Sequence, residues 1–455
     1  MTENVDVVWI IFDSLSFEAT PFPQDGPNTM PILAELAGNN AEIFTRAYAP
    51  GPTSPSSHGS FFTGELPSTT GMHEAHPYFD FDGPTVASEL NESHRTHLIS
   101  SNQFLFNGLD EAFDEAERLG VWSPKFSAGT NPMEFDSNQN GIKKYLDFLL
   151  ANGTPVRSLL NGIQFKTRDH WGAAGNYAND INEYLYDSVV DSDNNAFAVA
   201  NYMDVHPPLT ASDEALSKFA PDWPRDELPI GVRGRDIYEK YQSDPDYTAE
   251  DMYALYKAAV WDLDRKVAPL VSDIIDRNAL VIVTADHGHG FRRDTEFEDR
   301  RIHVPLLVFS PESNGRERNE TVNLRSLPKT TLAALNRDTG RFCGTDLLNQ
   351  SRSQLSITEF VYNDQIGVRP VPPDKNRKHT AEPRSITYRI TGIRNGTRID
   401  YDGHHYPVVT GDDSDDITQI KEDLKNIHEE GVNLGETTPE YDNATEEHLR
   451  KLGYL

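Results

Sequence analysis

The stretch V-D-V-V-W-I-I-F-D, residues 5–13, decides the fold class, because it is an apolar run that stops abruptly at an acid, Asp13. A short, continuous apolar run is typical of a strand that is buried on both faces of a parallel sheet. Three later runs have the same character, at residues 197–204, 279–286 and 304–311. The chain therefore predicts a sheet whose central strands are buried.

Two segments between these runs have the spacing of helices. Residues 30–37 follow an Asn-Thr pair and include a proline near the start, and residues 248–276 carry apolar side chains such as Met252 and Leu255 at helical intervals. Strands that alternate with helices predict an α/β fold, here a three-layer sandwich around a central, mostly parallel sheet.

The alternation of buried strands and helices in the sequence pattern stops near residue 356. The runs I-T-E-F-V-Y and S-I-T-Y-R-I-T-G-I-R-N-G-T-R-I-D-Y suggest antiparallel strands with a hairpin turn at Asn395-Gly396. An acidic loop at 411–416 and a charged helix to Glu430 follow. We predict a catalytic domain over 1–350, in which 105–190 form a cap or insertion, and a small C-terminal α+β subdomain over 351–455.

The chain is strongly acidic. It has 455 residues, with 72 Asp and Glu against 41 Lys and Arg, and a formal net charge of −31. Such a surface repels nucleic acid and anionic membrane, so neither is expected as a partner. Both an ordinary acidic cytosolic protein and a halophilic, salt-adapted one have this charge, and its spread along the chain favours the second.

The single cysteine, Cys343, excludes an intramolecular disulfide and fits a reducing compartment. The acidic first residues and the short apolar run after them do not resemble a signal peptide or a membrane span. We expect a cytoplasmic protein. The sequence leaves its oligomeric state open.

Chemically competent side chains cluster at the strand ends. Ligands bind beyond the carboxyl ends of the strands in parallel sheets, and Asp13, Asp204, His206, Asp286 and His287 all fall there. In A-D-H-G-H-G, residues 285–290, an acid and a histidine leave a buried strand as a compact pair of metal ligands. Both Asp13 and this pair could instead cap the segments that follow them.

Two loops offer groups for catalysis. In T-S-P-S-S-H-G-S-F-F-T-G, residues 53–64, Ser54 would present its hydroxyl at a helix N-terminus, which stabilises anions. In N-Y-M-D-V-H-P-P-L, residues 201–209, His206 is placed to bind an oxyanion or protonate a leaving group. The alternatives are an ordinary Ser/Thr-rich cap and a surface histidine.

Taken in order, these motifs resemble those of the sulfatase family of the alkaline-phosphatase superfamily, above all its Ser/Thr-type members common in halophilic archaea. The stretch from Ser54 is similar to the family signature C-x-P-S-R-x-x-x-x-T-G. Other matching stretches keep the family order over most of the chain: F-D-S-L-S, G-M-H, F-A-V-A-N-Y-M-D-V-H-P-P, T-A-D-H-G, H-V-P-L-L-V and L-R-K-L-G-Y-L. The resemblance implies an alkaline-phosphatase-like fold and hydrolysis of sulfate esters.

The resemblance also assigns roles by position. It implies that Asp13, Asp286 and His287 bind one divalent metal ion, that Ser54 is the nucleophile and contacts the ion, and that His206 serves the substrate oxyanion or acts as an acid. His58 takes the place of the signature arginine. The remaining candidates are His289 for catalysis and, for substrate binding, His73, His303, Asn102 and Arg292.

The chain departs from the family at several positions. Ser14 stands where many sulfatases have a second aspartate, so one carboxylate ligand is missing. No cysteine lies near Ser54, and the altered flanking residues argue against formylglycine made from serine. No lysine follows the D-H-G motif, where Arg292 or Arg293 is the substitute.

These departures leave alternatives open. The leading expectation is a metal-dependent hydrolase of sulfate esters on small molecules or saccharides. A phosphodiesterase, phosphonate monoester hydrolase or phosphotransferase on the same scaffold is the second, because a seryl ester suits phosphoryl transfer at least as well. A non-catalytic anion-binding relative is the third. The residue types admit Mn²⁺, Mg²⁺, Ca²⁺ or Zn²⁺.

Overall fold

The computed structural model describes residues 5–119, 128–130, 135, 142–170, 177–207, 209–220, 248–289, 297–363, 386–411 and 414–433. The run that opens the chain forms β1, Val7–Phe12, and all six of its residues are buried. It pairs in parallel with a strand on each edge, which makes it a central strand, and the burial of all six residues shows that both of its faces are covered, as the continuous apolar run predicts.

The main sheet has nine strands in the order β4-β3-β5-β1-β6-β7-β2-β8, with β9 also paired to β2. Within the described residues, β7 alone runs antiparallel to its neighbours. The prediction of a mostly parallel sheet is confirmed. Its strands are β1, β2 (Ala41–Tyr48), β3 (Arg95–Ser100), β4 (Glu115–Arg118), β5 (Ala196–Tyr202), β6 (Leu280–Thr284), β7 (His303–Phe309), β8 (Arg316–Arg318) and β9 (Val322–Asn323).

Helices cover this sheet in two groups, which gives the three layers that the alternation of elements predicts. One group packs around the long helix α9, which contacts α1, α7 and α8, and the other around α2, which contacts α4 and α11. The helices are α1 (Pro31–Asn40), α2 (Ser54–Thr63), α3 (Pro67–Thr70), α4 (Val86–Leu90), α5 (Ile142–Leu150), α6 (Pro155–His170), α7 (Ala178–Leu185), α8 (Asp213–Phe219), α9 (Ala249–Ile275), α10 (Phe297–Ile302), α11 (Leu327–Ala334) and α12 (Ser414–Glu430).

The long helix α9 is the one predicted over residues 248–276. Thr248 caps it through a reciprocal pair of hydrogen bonds with Asp251. Further along, buried Asp264 accepts hydrogen bonds from the backbone N–H groups of Ile32 and Leu33, at 3.0 and 2.9 Å. One carboxylate of α9 therefore satisfies the first N–H groups of α1 and ties the two helices together.

A separate sheet lies in the C-terminal part, as expected. It consists of β10 (Ser356–Asn363), β11 (Ile386–Arg394), β12 (Thr397–Tyr401) and β13 (Val409–Thr410), all antiparallel. Asn395 and Gly396 form the hairpin turn, both with positive φ (52° and 85°). The charged helix α12 begins at Ser414, inside the stretch predicted as an acidic loop, and packs on β11 and β12.

The described residues of the segment 105–190 belong to more than one part of the fold. Its strand β4 joins the edge of the main sheet, and its helix α7 packs against α9. Between β4 and α7 along the chain, α5 and α6 pack against each other. The Thr130 N–H donates to the Ser158 hydroxyl of α6, which in turn donates to the Thr130 hydroxyl. A cap function for this pair and the domain boundary near residue 350 stay predictions. No described helix is both long and apolar enough to cross a membrane.

Candidate functional site

The polar groups predicted at strand ends meet at one edge of the main sheet. Asp13 follows β1, Asp286 lies two residues after β6, and Asn102 two residues after β3. Ser54 begins α2, which follows the parallel strand β2. The sheet register places these ends side by side, since the middle of β1 pairs in parallel with both β5 and β6.

Asp286 and His287 each have one buried side-chain atom for which the described residues supply no hydrogen bond. Asp286 Oδ1 accepts the backbone N–H groups of Ser14 and His287, at 3.0 and 2.8 Å, whereas its Oδ2 has no hydrogen-bond partner among the described residues. His287 Nδ1 donates to the Gly288 carbonyl at 2.9 Å, which leaves the lone pair on the buried Nε2, also without a partner there. These two atoms lie 3.6 Å apart.

Asp13 completes a group that fits a metal ion. Ligand atoms of Asp13, Asp286 and His287 lie within 4.8 Å of one another, and all three residues are buried. Two carboxylates and an unprotonated imidazole nitrogen are ordinary ligands of divalent cations. Buried polar atoms are nearly always satisfied, so the unpartnered Asp286 Oδ2 and His287 Nε2 support a cation at this point.

Asp13 is oriented by its neighbours. Asn102 Nδ2 donates to Asp13 Oδ2 at 2.7 Å, and the Asn102 side-chain oxygen accepts the N–H of Phe104. Both ends of the Asn102 amide are thus engaged. The geometry favours a role for Asn102 in positioning Asp13, although the sequence suggested substrate binding.

Ser14 adopts a conformation that the sequence did not reveal. Its φ is +67°, a left-handed conformation that costs a non-glycine residue about 1–2 kcal/mol. In return its N–H reaches Asp286 Oδ1 and its hydroxyl donates to Asp13 Oδ1, both at 3.0 Å. Tyr256 on α9 holds this turn by donating to the Ser14 carbonyl and accepting the Ser16 N–H, at 2.5 and 2.8 Å.

The neighbours of Asp286 oppose the effect of burial on its pKa. Burial alone would raise the pKa of the Asp286 carboxyl, but the rings of His287 and His58 and the Ser14 N–H hold it well below its usual range. The carboxylate is therefore ionised at neutral pH. An ionised, half-satisfied carboxylate in a buried site is the form that binds a cation.

Ser54 is the first residue of α2 and is fully buried. Its hydroxyl donates to Asp13 Oδ2 at 3.3 Å, so the predicted nucleophile touches the predicted metal group. Among the described residues, Thr53 makes no side-chain capping bond to the helix. Pro55 has no N–H and the Ser57 N–H donates to the Thr53 carbonyl at 3.0 Å, which leaves the N–H groups of Ser54 and Ser56 to face an anion.

His58 lies one turn further along α2, with a fully buried side chain. Its Nε2 is 3.6 Å from Asp286 Oδ2. The ring packs edge-on against Phe61 and parallel to Phe62. The structure thus brings His58 to the aspartate of the D-H-G motif.

His206 and His289 lie close to the same group. Burial lowers the pKa of His206, while Asp13 raises it and His287 lowers it. Burial also holds the pKa of His289 well below its usual value, with His206, Arg301 and His287 adding to the effect. Both rings are neutral at pH 7. His206 Nδ1 donates to the Pro207 carbonyl at 2.5 Å, which leaves the lone pair of the neutral ring on Nε2.

Two residues that the sequence did not single out also face the site. Arg301 donates from Nη2 to the Pro52 carbonyl at 2.8 Å, two residues before Ser54. Burial raises the pKa of Glu74, and Arg301 and His287 counteract this effect. Arg301 directly follows another arginine in a charged stretch, and Glu74 follows the G-M-H motif. Neither position has a pattern that would have identified it.

Two substrate-binding candidates bond to the backbone away from the metal group, and a third lies outside the described residues. His73 Nε2 donates to the Asn433 carbonyl and its Nδ1 accepts the His76 N–H, so both ring nitrogens hold the backbone. His303 stacks against Phe17 and Tyr48, with Nε2 bonded to the Thr45 carbonyl. Neither ring bonds to the metal group within the described residues. Arg292 lies outside those residues.

The C-terminal sheet reaches the loop that precedes the nucleophile. In β10 the Thr358 hydroxyl donates to the Ala49 carbonyl at 2.6 Å, and the Glu359 N–H donates to the Pro50 carbonyl at 2.9 Å. The buried Glu359 carboxylate also accepts the backbone N–H and the hydroxyl of Ser68 at the start of α3. The small sheet thereby supports both ends of the segment that carries α2.

Comparison with known proteins places the chain in a family. The family model described as Sulfatase matches residues 5–336, which is well over half of the chain. A search of curated proteins by sequence found no match.

Solved structures share the fold at low sequence identity. A phosphonate monoester hydrolase from Silicibacter pomeroyi superposes with a TM-score of 0.62 at 16% identity, over 94% of this chain and 95% of that one. A protein in complex with its substrate D-glucosamine-2-N,6-O-disulfate gives 0.60 at 12% identity, over 99% and 98%. A phosphonate monoester hydrolase of Agrobacterium radiobacter gives 0.55 at 14%, over 93% and 94%.

Proposed function

The chain belongs to the sulfatase family, a family of hydrolases, and on that premise we propose that it hydrolyses sulfate esters of small molecules or saccharides with Ser54 as the nucleophile. We propose that Asp13, Asp286 and His287 hold one divalent metal ion beside it. One observation carries the proposal: the Ser54 hydroxyl bonds to Asp13 next to two buried ligand atoms, Asp286 Oδ2 and His287 Nε2, that have no hydrogen-bond partner in the described part of the chain.

The first step transfers the sulfuryl group to the enzyme. The Ser54 oxygen bonds to sulfur as the bond between sulfur and the alcohol oxygen breaks. Neutral His206 accepts the hydroxyl proton on Nε2 and passes it to the departing alcohol. A divalent cation supplies positive charge that stabilises the negative charge growing on the substrate oxygens. At the N-terminus of α2, the backbone N–H groups of Ser54 and Ser56 favour the same charge.

The second step releases the acid. Water attacks the seryl ester, His206 takes its proton, and the same ring returns a proton to Ser54. A formylglycine adduct can expel sulfate by forming the aldehyde again. A seryl ester cannot do this, so the enzyme must catalyse its hydrolysis by water directly. Serine at position 54 therefore favours a second candidate function, hydrolysis or transfer of phosphate and phosphonate esters.

A substrate panel tests the proposal. We expect metal-dependent hydrolysis of p-nitrophenyl sulfate, measured against p-nitrophenyl phosphate and p-nitrophenyl phenylphosphonate with added Mn²⁺, Mg²⁺, Ca²⁺ or Zn²⁺. Each assay is run in dilute buffer and in molar KCl, because the charge of −31 predicts a salt requirement. Preference for the phosphorus esters would select the second function. No turnover of any ester, together with tight sulfate binding, would indicate a non-catalytic anion-binding protein.

We expect the pH profile to report His206. Since burial lowers its pKa, the ring is neutral at pH 7 and its Nε2 can accept a proton. Protonation at lower pH removes that acceptor, so kcat/KM should fall on the acid side. His206→Gln should lower the plateau roughly 10²–10⁴-fold and abolish this acid limb.

The pH experiment has a matched control. His94 is also buried, its pKa is also lowered by burial, and its ring bonds to Ser93 and to the Val5 carbonyl, away from the metal group. His94→Gln should keep the acid limb of the profile. An unchanged limb in His206→Gln would remove His206 from the proton transfer.

A further inference from the structure

Ser14 is held in a backbone conformation that its residue type does not favour. Its φ is +67°, whereas the other described non-glycine residues with positive φ are asparagines, which enter the left-handed region more readily. A serine keeps such a conformation only where its surroundings hold it there, and residues of this kind are concentrated at functional sites. The contacts of Ser14 therefore indicate what the conformation serves.

The left-handed turn brings two polar groups of Ser14 to two different carboxylates. Its N–H donates to Asp286 Oδ1 and its hydroxyl donates to Asp13 Oδ1, both at 3.0 Å. These two aspartates follow different strands, β1 and β6. Because Ser14 bonds to one oxygen of each, it fixes the separation of the two carboxylates that the proposed function assigns to the metal ion.

Tyr256 on α9 holds Ser14 in this conformation. Its hydroxyl donates to the Ser14 carbonyl at 2.5 Å and accepts the Ser16 N–H at 2.8 Å, so one oxygen bonds to the backbone on both sides of the turn. All three residues are buried. Loss of the hydroxyl would therefore leave a backbone carbonyl and a backbone N–H buried without these bonds, which is unfavourable.

We propose that Tyr256 and Ser14 form a strap that positions Asp13 and Asp286, so that a tyrosine of α9 controls how tightly the metal ion is bound. This inference rests on the proposed function, which assigns the two carboxylates as ligands. Without the tyrosine hydroxyl the turn relaxes from its unfavourable φ, and the Ser14 N–H moves away from Asp286 Oδ1. The two carboxylates then have to be ordered when the ion binds, which weakens binding.

Metal titration of the full-length apoprotein tests the strap. The wild type is titrated with Mn²⁺, Mg²⁺, Ca²⁺ and Zn²⁺, and the ion bound most tightly is used for the variants. Tyr256→Phe removes the hydroxyl and keeps the ring, and it should bind this ion about 10–100-fold more weakly than the wild type. Far-UV circular dichroism of each apoprotein verifies that it is folded.

A tyrosine on the same helix provides the matched control. Tyr253 lies one turn before Tyr256 on α9, and its hydroxyl donates to the Glu18 carbonyl at 3.1 Å. Tyr253→Phe therefore also removes a bond from α9 to the chain after β1, but not the bonds at Ser14. This variant should bind the ion within about threefold of the wild type.

A pair of double variants separates positioning of the turn from a general loss of stability. Glycine adopts positive φ without strain, whereas alanine resists it, and both lack the serine hydroxyl. In the Tyr256→Phe background, Ser14→Gly should therefore bind the ion at least about threefold more tightly than Ser14→Ala. Equal affinities of the two double variants would exclude the backbone conformation of Ser14 as the route to the ligands.

Two further results would overturn the inference. Folded Tyr256→Phe that binds the ion within about threefold of the wild type would show that the strap does not position the ligands. If the wild type itself binds none of the four ions, the metal in the proposed function is wrong as well. Failure of the strap and failure of the proposed metal site thus give different results.

Discussion

Asp286→Asn is expected to remove the bound metal and to lower kcat/KM by about 10⁴-fold, because several kcal/mol of charge stabilisation disappear at about 1.4 kcal/mol per factor of ten. The substitution is nearly isosteric. The amide oxygen can still accept the N–H groups of Ser14 and His287 in place of Oδ1. What changes is the atom at Oδ2, where a cation would meet an NH₂ group instead of a charged oxygen.

The measurement pairs the kinetics with metal content by mass spectrometry. Asp264→Asn is the matched control, since Asp264 is also a buried carboxylate that accepts two backbone N–H groups, but it does so at the start of α1. This control should lose stability and keep its metal and its kcat/KM. A Asp286→Asn protein that retains one ion per chain and more than about a tenth of wild-type kcat/KM would exclude Asp286 as a ligand.

Ser54→Ala is expected to abolish covalent catalysis, with kcat reduced by roughly 10⁴-fold or more. The lost hydroxyl is the one that bonds to Asp13, and no polar group replaces it. Rapid quenching of the wild type with substrate should show the acid group of the substrate attached to the peptide that contains Ser54. The same mass measurement reports whether residue 54 is serine or formylglycine.

A neighbouring serine provides the control for this substitution. Ser60 lies on the same helix, is buried, and its hydroxyl has no hydrogen-bond partner among the described residues. Ser60→Ala should leave kcat within a few-fold of wild type, since a buried unpaired hydroxyl contributes no stability. If Ser54→Ala kept near-normal kcat, water would attack the ester directly and the covalent step would be excluded.

The sequence predicted the parts of the structure that follow from local patterns. Continuous apolar runs identified β1, β5, β6 and β7 because buried strands need no polar alternation, and the Asn395-Gly396 pair identified the hairpin. Since parallel strands end at one edge, acids and histidines at those ends could be grouped before any coordinates were known. The family comparison confirms the fold and the hydrolase class.

Other parts depend on contacts between residues far apart in the chain. Nothing in the local pattern shows that Tyr256, on the core face of α9, would clamp Ser14 in a left-handed conformation. His73 and His303 were selected by their position in motifs, yet their rings bond to distant backbone carbonyls. The antiparallel direction of β7 likewise follows from sheet pairing, because an apolar run carries no direction.

The hydrogen bonds from β10 to the segment before Ser54 limit which parts of the chain can be exchanged without affecting the site. The family model matches residues 5–336, but the groups that hold Ala49 and Pro50 come from Thr358 and Glu359, beyond the matched residues. The segment before Ser54 therefore depends on the small sheet for its position. If the C-terminal part were replaced by that of a relative, the hydrogen bonds to Ala49 and Pro50 would change. The segment before Ser54 would then be held differently, even though every residue of the site were kept.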